Sequence, residues 1–457
     1  MNYKSSRRDL LKNVMSFGGL LGLRSLAAGL PASILLTGIP SDAALAAAEA
    51  LAPPQFLLMA LNHTGDPISN NCPGTYDTGL PGIYNNPQAS MAPQSLNLGA
   101  KTYQAAKPWR DLQNAQGYAL DRTTFIHHTT RTNIHAQYAG VMKLMGSSRG
   151  ANGETNSPEF VSSMLSAALA PIHGTIQKQP LYMGGPSVDY EGQALAQIRP
   201  DALKRLFPAL TANDKAIRDL RDTDLKNLNN ALKSGGSRKQ KAWLDDHVRS
   251  QDELRKLNET LVQRFSSING ATAESAIDAA LIAFKLKISP VATFYINFGS
   301  DNHTDPGLGG EAEGTVSGCA TLEYMFKRLV AEGLQDQVTF ASLGVFGRTL
   351  GKQDGNGRDH NLNHHVTVIT GKHVRAGVIG GLQAVGNDFG AMPINSVSGA
   401  GSSGGDISLD QSLESVAKTL GAAVGLPESA LQKRIKRTLN GTETNVGKII
   451  SAALKTV

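Results

Sequence analysis

The sequence predicts an α/β fold in which helices pack on a mostly parallel sheet, with a helical segment inserted into it. Three observations predict it. Short apolar runs rich in β-branched and aromatic residues read as buried strands. Helical patterns lie between several of them, the alternation that parallel pairing requires. A charge-rich stretch from about residue 200 to 268 carries almost no strand signal.

The strands are expected at Gln55–Leu61, Thr123–His128, Val291–Phe298, Val338–Leu343 and Val366–Thr370. Ala273–Lys287 is rich in Ala and holds Leu281, Ile282 and Phe284, which favours a helix. Thr321–Glu332 places Leu322, Met325, Phe326, Leu329 and Val330 at helical spacing. Within the inserted segment, 200–268, Leu254, Leu257, Leu261 and Phe265 share one helical face, and Ser234-Gly235-Gly236-Ser237 separates two helical pieces. This segment reads either as a cap on the sheet or as a solvated helical hairpin. Asn387–Gly405 is rich in Gly and Ser and is expected as loop. Ser408 and Gln411 have capping-box spacing, so a helix is expected there. Glu428–Val457 is expected to be helical and peripheral.

With 457 residues, 40% of them hydrophobic, the chain can bury a large core. Lys4, Arg7, Arg8, Lys12 and Arg24 stand against Asp9 and Asp42 near the N-terminus, which therefore carries half of the formal net charge of +6. No basic stripe with interleaved aromatics remains, which excludes nucleic acid as a partner. Cys72 and Cys319 are the two cysteines, too few for a zinc-finger framework. They read either as a disulfide pair in an oxidising compartment or as separate buried thiols.

Ser6-Arg7-Arg8-Asp9-Leu10-Leu11-Lys12 resembles the twin-arginine export motif. The apolar stretch from Val14 to Gly38 is broken by Arg24 and Pro31, so it is a poor membrane span. Ala44-Leu45-Ala46 offers a small-x-small cleavage site. Residues 1–48 are read as a signal peptide and 49–457 as the mature α/β domain. The motif implies the twin-arginine translocase as export partner, a periplasmic or secreted location, and no stable membrane span after cleavage.

Metal-ligand residue types follow the strand ends. The first strand runs into Asn62-His63-Thr64-Gly65-Asp66, the second into Thr129 to His135, and the third into Asp301-Asn302-His303. Phe346-Gly347-Arg348-Thr349 follows the fourth, while Asp359-His360 and His364-His365 precede the fifth. Sites in open α/β sheets form at the carboxyl ends of strands, so the 359–365 loop must reach back to the same edge. An Asp and a His within three residues make a half-site for a divalent metal, with the ligand mix of zinc. Two such half-sites, Asp301/His303 and Asp359/His360, suggest two metals, and Arg348 could hold an oxyanion as a bidentate fork. His127 and His128 alternate across a strand. Gly401-Ser402-Ser403-Gly404-Gly405 follows no strand and is not read as a nucleophile elbow. The histidines lack His-Glu-x-x-His spacing, which argues against a zincin protease.

In this order, Asp301-x-His303, Phe346-Gly347-Arg348-Thr349 and Gly357-Arg358-Asp359-His360 resemble the twin-arginine-exported bacterial proteins grouped as a domain of unknown function within the alkaline phosphatase-like superfamily. Leu334 to Val338 and Gly377–Gly381 belong to the same match, and Gly65-Asp66 and Asn133 to Gly146 with His135 add a looser one. The resemblance implies an alkaline phosphatase-like three-layer sandwich. It implies one metal on Asp301, His303 and His365, and a second on Asp66, Asp359 and His360, with zinc as the expected ion. The superfamily places a hydroxyl or modified Cys as nucleophile, and Thr130 and Thr132 stand at about that position. His135 is expected to line the pocket. The usual Ser-Glu before Phe-Gly-Arg is replaced by Gly344-Val345, and a sulfatase Cys-x-Pro-x-Arg is absent. Two functions follow as expectations: an exported metal-dependent hydrolase of phosphate or sulfate esters, or a non-catalytic exported protein that binds an anionic small molecule or polysaccharide.

Overall fold

The computed structural model describes residues 53–455, apart from 77, 145–158, 203–210, 239, 242–262, 264, 267, 269, 352–355 and 440–441. The expected signal peptide and Leu254, Leu257 and Leu261 lie outside the described residues.

Seven strands form the main sheet. They are β1 (Phe56–Asn62), β2 (Thr123–His128), β3 (Leu181–Tyr182), β4 (Val291–Phe294), β5 (Val338–Gly344), β6 (His365–Thr370) and β7 (Gly377–Ile379). Their order across the sheet is β7-β2-β6-β5-β1-β4-β3. The run Phe-Leu-Leu-Met-Ala-Leu-Asn has no polar alternation, as a strand covered on both faces requires. All of β1 is accordingly buried, and it pairs in parallel with β4 and β5. Only β6 runs antiparallel, between β2 and β5. Its N-terminal end therefore lies at the rim where the other strands finish.

The helices are α1 (Lys107–Ala115), α2 (Val161–His173), α3 (Ala212–Gly235), α4 (Ala273–Lys285), α5 (Gly309–Ala331), α6 (Ser412–Ala423) and α7 (Glu428–Arg434). On one face of the sheet, Leu57, Met59, Leu61, Ile126, Leu343 and Ile369 share a core with α2 and α6. On the other, Trp109 of α1 meets Phe125 of β2 edge-on at 5.1 Å and stacks on Phe298 at 6.1 Å. Its indole N–H donates to Asn71 Oδ1 at 2.9 Å, the partner a buried indole needs. The result is a mixed, mostly parallel sheet with helices on both sides.

All five expected strands are present. β3 and β7 are too short to show a period in sequence. β4 stops at Phe294 rather than Phe298, and the chain leaves the sheet there to carry Phe298 onto Trp109. α5 begins at Gly309, well before the apolar run at Thr321, because its glycine-rich first turns hide the helical pattern. The expected Ser408 capping box is corrected: Ser408 makes no side-chain cap, a 3-10 turn spans Leu409–Gln411, and the α-helix begins at Ser412. The Asn387–Gly405 loop contains a strand, Asp388–Ala391, paired with Leu382–Val385. The C-terminal helix ends at Arg434, and Lys436–Leu439 pairs with Thr442–Asn445 instead. Cys72 and Cys319 are separate buried thiols.

Residues 198–282 form a compact unit of their own. In it α3 opens on a complete capping box between Thr211 and Asp214 and ends at Gly235, at the expected break.

β2, β6 and the residue just before β6 carry four histidines into the interior, with His365 opposite His128. A carbonyl only accepts, so His127 Nε2 donates to Pro73 O at 3.0 Å, and its Nδ1 accepts from His364 Nε2 at 3.0 Å. His365 Nε2 accepts the Gly344 N–H at 3.2 Å. Burial pushes His127 and His365 down to about 4, and His128 and His364 well below the usual imidazole value. Between pH 6.5 and 4 the unfolded chain thus binds more protons at these sites, and stability falls as the pH drops through that window. Asp66 opposes them in part: burial raises it to about 7, which favours the folded state as the pH falls towards 4. Four histidines outweigh one carboxyl, so the urea midpoint of the metal-free protein should decline below pH 6.5. An unchanged midpoint down to pH 4.5 contradicts this. Asp66→Asn should gain on the wild type between pH 5 and pH 8, because it removes a buried carboxylate that must ionise.

Candidate metal centre

Short polar turns shape the rim. Asn62 closes β1 by accepting the Thr64 N–H at 2.5 Å and the Gly65 N–H at 3.0 Å through Oδ1, which turns His63 outward. Thr132 bends the loop after β2: its hydroxyl accepts the Ile134 N–H at 3.1 Å and donates to Gln137 Oε1 at 2.7 Å. Beyond β4 the chain turns at Gly299, against which α5 packs so closely that a Cβ on Gly314 would sit 2.2 Å from the Gly299 nitrogen. Only glycine fits there, and the turn sets Asp301 and His303 at the rim.

Three of these loops bring His135, Asp301 and His360 together. One ligand atom from each lies within 4.8 Å of the others. Among the described residues this is the one group of at least three His, Cys, Asp or Glu side chains so arranged. His135 Nε2 is 3.4 Å from Asp301 Oδ2. His303 joins them, its Nε2 2.7 Å from His360 Nε2 and 3.5 Å from Asp301 Oδ1. The side chains of His135, His303 and Asp301 are 35%, 37% and 45% exposed, so the cluster opens to solvent.

The outward-facing nitrogens are fixed from behind. His135 Nδ1 donates to His63 O at 2.8 Å, and His360 Nδ1 donates to Asn133 O at 2.5 Å. His303 Nδ1 lies 2.9 Å from Asp359 Oδ1, an acceptor when ionised. With each Nδ1 protonated, the neutral rings present three bare Nε2 lone pairs to one region. Lone pairs 2.7 Å apart repel unless a proton or a cation lies between them. Oxygen acceptors behind ligating imidazoles are the usual second layer of a metal site. Ligands of a tetrahedral zinc stand about 3.3 Å apart for bonds near 2.0 Å, close to the separations seen here. The residues present therefore fit a divalent cation.

Asp301 is held ionised. Burial alone would raise it, but the charge and hydrogen bond of Arg348, with His303 and His135, outweigh that and keep it below the usual carboxylate range. His360 is shifted down, first by burial and then by Arg348, His303 and His135, against the pull of the Asn133 carbonyl. Both shifts favour a neutral imidazole beside a charged carboxylate, the protonation state a metal takes up.

The remaining expected site residues sit elsewhere. Arg348, expected as an oxyanion fork, is fully buried with its donors engaged: Nε on Gly65 O at 2.7 Å, and Nη2 on Thr64 O at 2.6 Å and Asp301 Oδ1 at 2.9 Å. Asp359, expected as a ligand, faces the Nδ1 side of His303 rather than the Nε2 cluster. Asp66 is buried under the first loop and accepts the Ser300 N–H at 3.2 Å. His365 is inside the sheet, on Gly344. The Thr130 and Thr132 side chains are both buried, and that of Thr132 is committed to its turn. The second expected metal half-site is not assembled on Asp66 among the described residues.

Sequence reasoning placed His135 in the pocket without a ligand role, and it missed the carbonyls of His63 and Asn133 altogether. It also missed Glu311, which accepts Arg358 Nε at 2.6 Å and Asn302 Nδ2 at 3.1 Å beneath the cluster.

No helix among the described residues is long and apolar enough to cross a membrane. No curated protein matches the chain. Residues 123–396, which contain His135, Asp301, His303, Arg348, Asp359 and His360, match the family described as Protein of unknown function (DUF1501). That stretch is more than half of the sequence and carries the whole cluster, and the chain belongs to the DUF1501 family.

Proposed function

We propose that the chain is an exported, metal-dependent hydrolase of a phosphate or sulfate ester that uses water, not a side-chain hydroxyl, as its nucleophile. One observation carries this reading: three imidazoles, each with Nδ1 held by an oxygen, turn Nε2 towards a single half-exposed carboxylate. His135, His360 and Asp301 would hold the cation, zinc by the nitrogen and oxygen mix, in the three-ligand arrangement of catalytic sites. Such a cation polarises an ester oxygen and lowers the pKa of water.

The chain's own groups supply the proton transfers. His303 faces the same region with its Nδ1 on Asp359, the disposition of a general base oriented by a carboxylate. It takes a proton from the attacking water at Nε2, Asp359 stabilises the imidazolium, and the proton passes to the departing ester oxygen. Arg348 bonds Asp301 through Oδ1, which leaves Oδ2 directed towards His135. Export rests on the twin-arginine motif, which would deliver the folded chain to the periplasm or beyond.

A second reading, a non-catalytic exported protein that binds an anionic or carbohydrate ligand, is favoured by a separate observation. Neither threonine expected as nucleophile is free at the surface, and Arg348 has no donor pair turned outward.

The mature chain, folded in zinc-containing medium, should retain about one equivalent after gel filtration, measured by mass spectrometry of the metal. His360→Ala and Asp301→Ala should each lose it. His303→Gln should keep the metal and lower hydrolysis of 4-nitrophenyl phosphate or sulfate by about 100-fold or more. Metal-free wild type would sink the reading, and bound metal with no turnover on an ester panel would favour the binding protein. Loss of metal in His303→Gln as complete as in His360→Ala would make His303 a ligand instead of a base.

A further inference from the structure

The two ligand-bearing loops alternate in a way the cluster itself does not explain. Asp301 and His303 face outward, while Asn302 between them is buried. Asp359 and His360 lie at the rim, while Arg358 beside them is 1% exposed. Both inward side chains end on the same group, the carboxylate of Glu311 in the first turn of α5. Arg358 Nε and Nη2 donate to it at 2.6 and 3.4 Å, and Asn302 Nδ2 at 3.1 Å. Asn86 Nδ2 adds a fourth bond at 3.3 Å.

Glu311 is itself fixed. It is fully buried, and its N–H donates to Asp305 Oδ2 at 2.9 Å, which ties it back to the same loop. Arg358 is held further by Nη1 on Thr349 O at 3.0 Å and Nη2 on Tyr84 O at 2.9 Å. The loops also touch directly: the Arg358 N–H donates to Asn302 O at 3.1 Å. Gly357, at φ +98°, allows that approach, since a Cβ there would stand 2.0 Å from Asn302 O.

A buried ion pair is a poor source of stability, because an apolar pair of like volume commonly does as well. Its use here is spacing. Ligand atoms must fall within about 0.2 Å of their bond lengths for a cation to be held. Without a tie between the two loops, Asp301 and His360 would have no fixed separation.

We infer that Glu311 is a positioning residue for the metal centre: through Arg358 and Asn302 it locks the 301–303 and 358–360 loops at the spacing the ligands require. The inference rests on the metal-binding reading above. Zinc affinity of the full mature chain, measured by competition with a chromogenic chelator, tests it alongside thermal melts of the metal-free forms. Glu311→Gln should weaken zinc by about 10–100-fold, the usual effect of losing an outer-layer partner. Asn302→Ala should weaken it in the same direction. Leu420→Ala, a core truncation in α6 distant in sequence from both loops, should lower the melting temperature and bind zinc as the wild type does. Folded Glu311→Gln with affinity within about twofold of wild type overturns the inference. If Glu311→Gln does not fold, unchanged affinity in Asn302→Ala overturns it. Equal loss of affinity in Leu420→Ala also overturns it, by assigning the effect to global stability. Wild type that takes up no zinc overturns both this inference and the metal reading, whereas the other outcomes touch the inference alone.

Discussion

One strand running against six decides where chemistry can sit on this sheet. Because β6 is antiparallel, the segment before it, with Asp359, His360 and His364, lies at the carboxyl ends of β1, β2, β4 and β5. A parallel β6 would have sent Asp359 and His360 to the opposite rim, a strand length away from Asp301 and His135. Strand length here is about 20 Å for six residues, far beyond any ligand bond. The cluster is therefore a consequence of topology before it is one of side-chain chemistry.

The same strand explains the division of labour among the histidines. His364 and His365 stand at the entry to β6 and inside it, where pairing with β2 places them against His127 and His128. Burial there removes their basicity and gives them hydrogen bonds to a carbonyl, an amide and one another. His360 lies just outside the sheet, and His135 and His303 lie on loops. These three stay partly hydrated and turn Nε2 towards one another and Asp301. One residue type thus serves as neutral core polar group or as candidate ligand according to its distance from the sheet edge.

Much of this was legible in the sequence. The strand runs at 55–61, 123–128, 338–343 and 366–370 stand nearly where they are expected, since their unbroken apolar character is a local property. The convergence of Asp301, His303 and His360 also follows from their places after or before strands. What was not legible depends on contacts that leave no residue-type signal. The acceptors behind His135 and His360 are backbone carbonyls of His63 and Asn133, and every residue has one. The helix start at Gly309 is concealed by a run of glycines, of which Gly314 packs closely on Gly299 and Gly318 on the Phe298 ring. Asp359 has the residue type of a ligand, and only its approach to the Nδ1 side of His303 shows that it orients another group.

Arg348 shows how burial settles a role that residue type leaves open. An arginine after Phe-Gly near a metal cluster reads as an anion fork. In the folded chain its guanidinium satisfies the carbonyls of Thr64 and Gly65 as well as Asp301. Swinging out to meet a ligand would strand those acceptors and carry the charge away from Asp301, at a cost of about 1–3 kcal/mol for each unmet group. No single new ion pair at a half-exposed rim returns that much, since such pairs are worth about 0–1 kcal/mol. Arg348 therefore stays where it is and acts through Asp301. It follows that an oxyanion bound at this rim would not take its positive charge from Arg348, whereas a cation at the His135, Asp301 and His360 cluster would supply one.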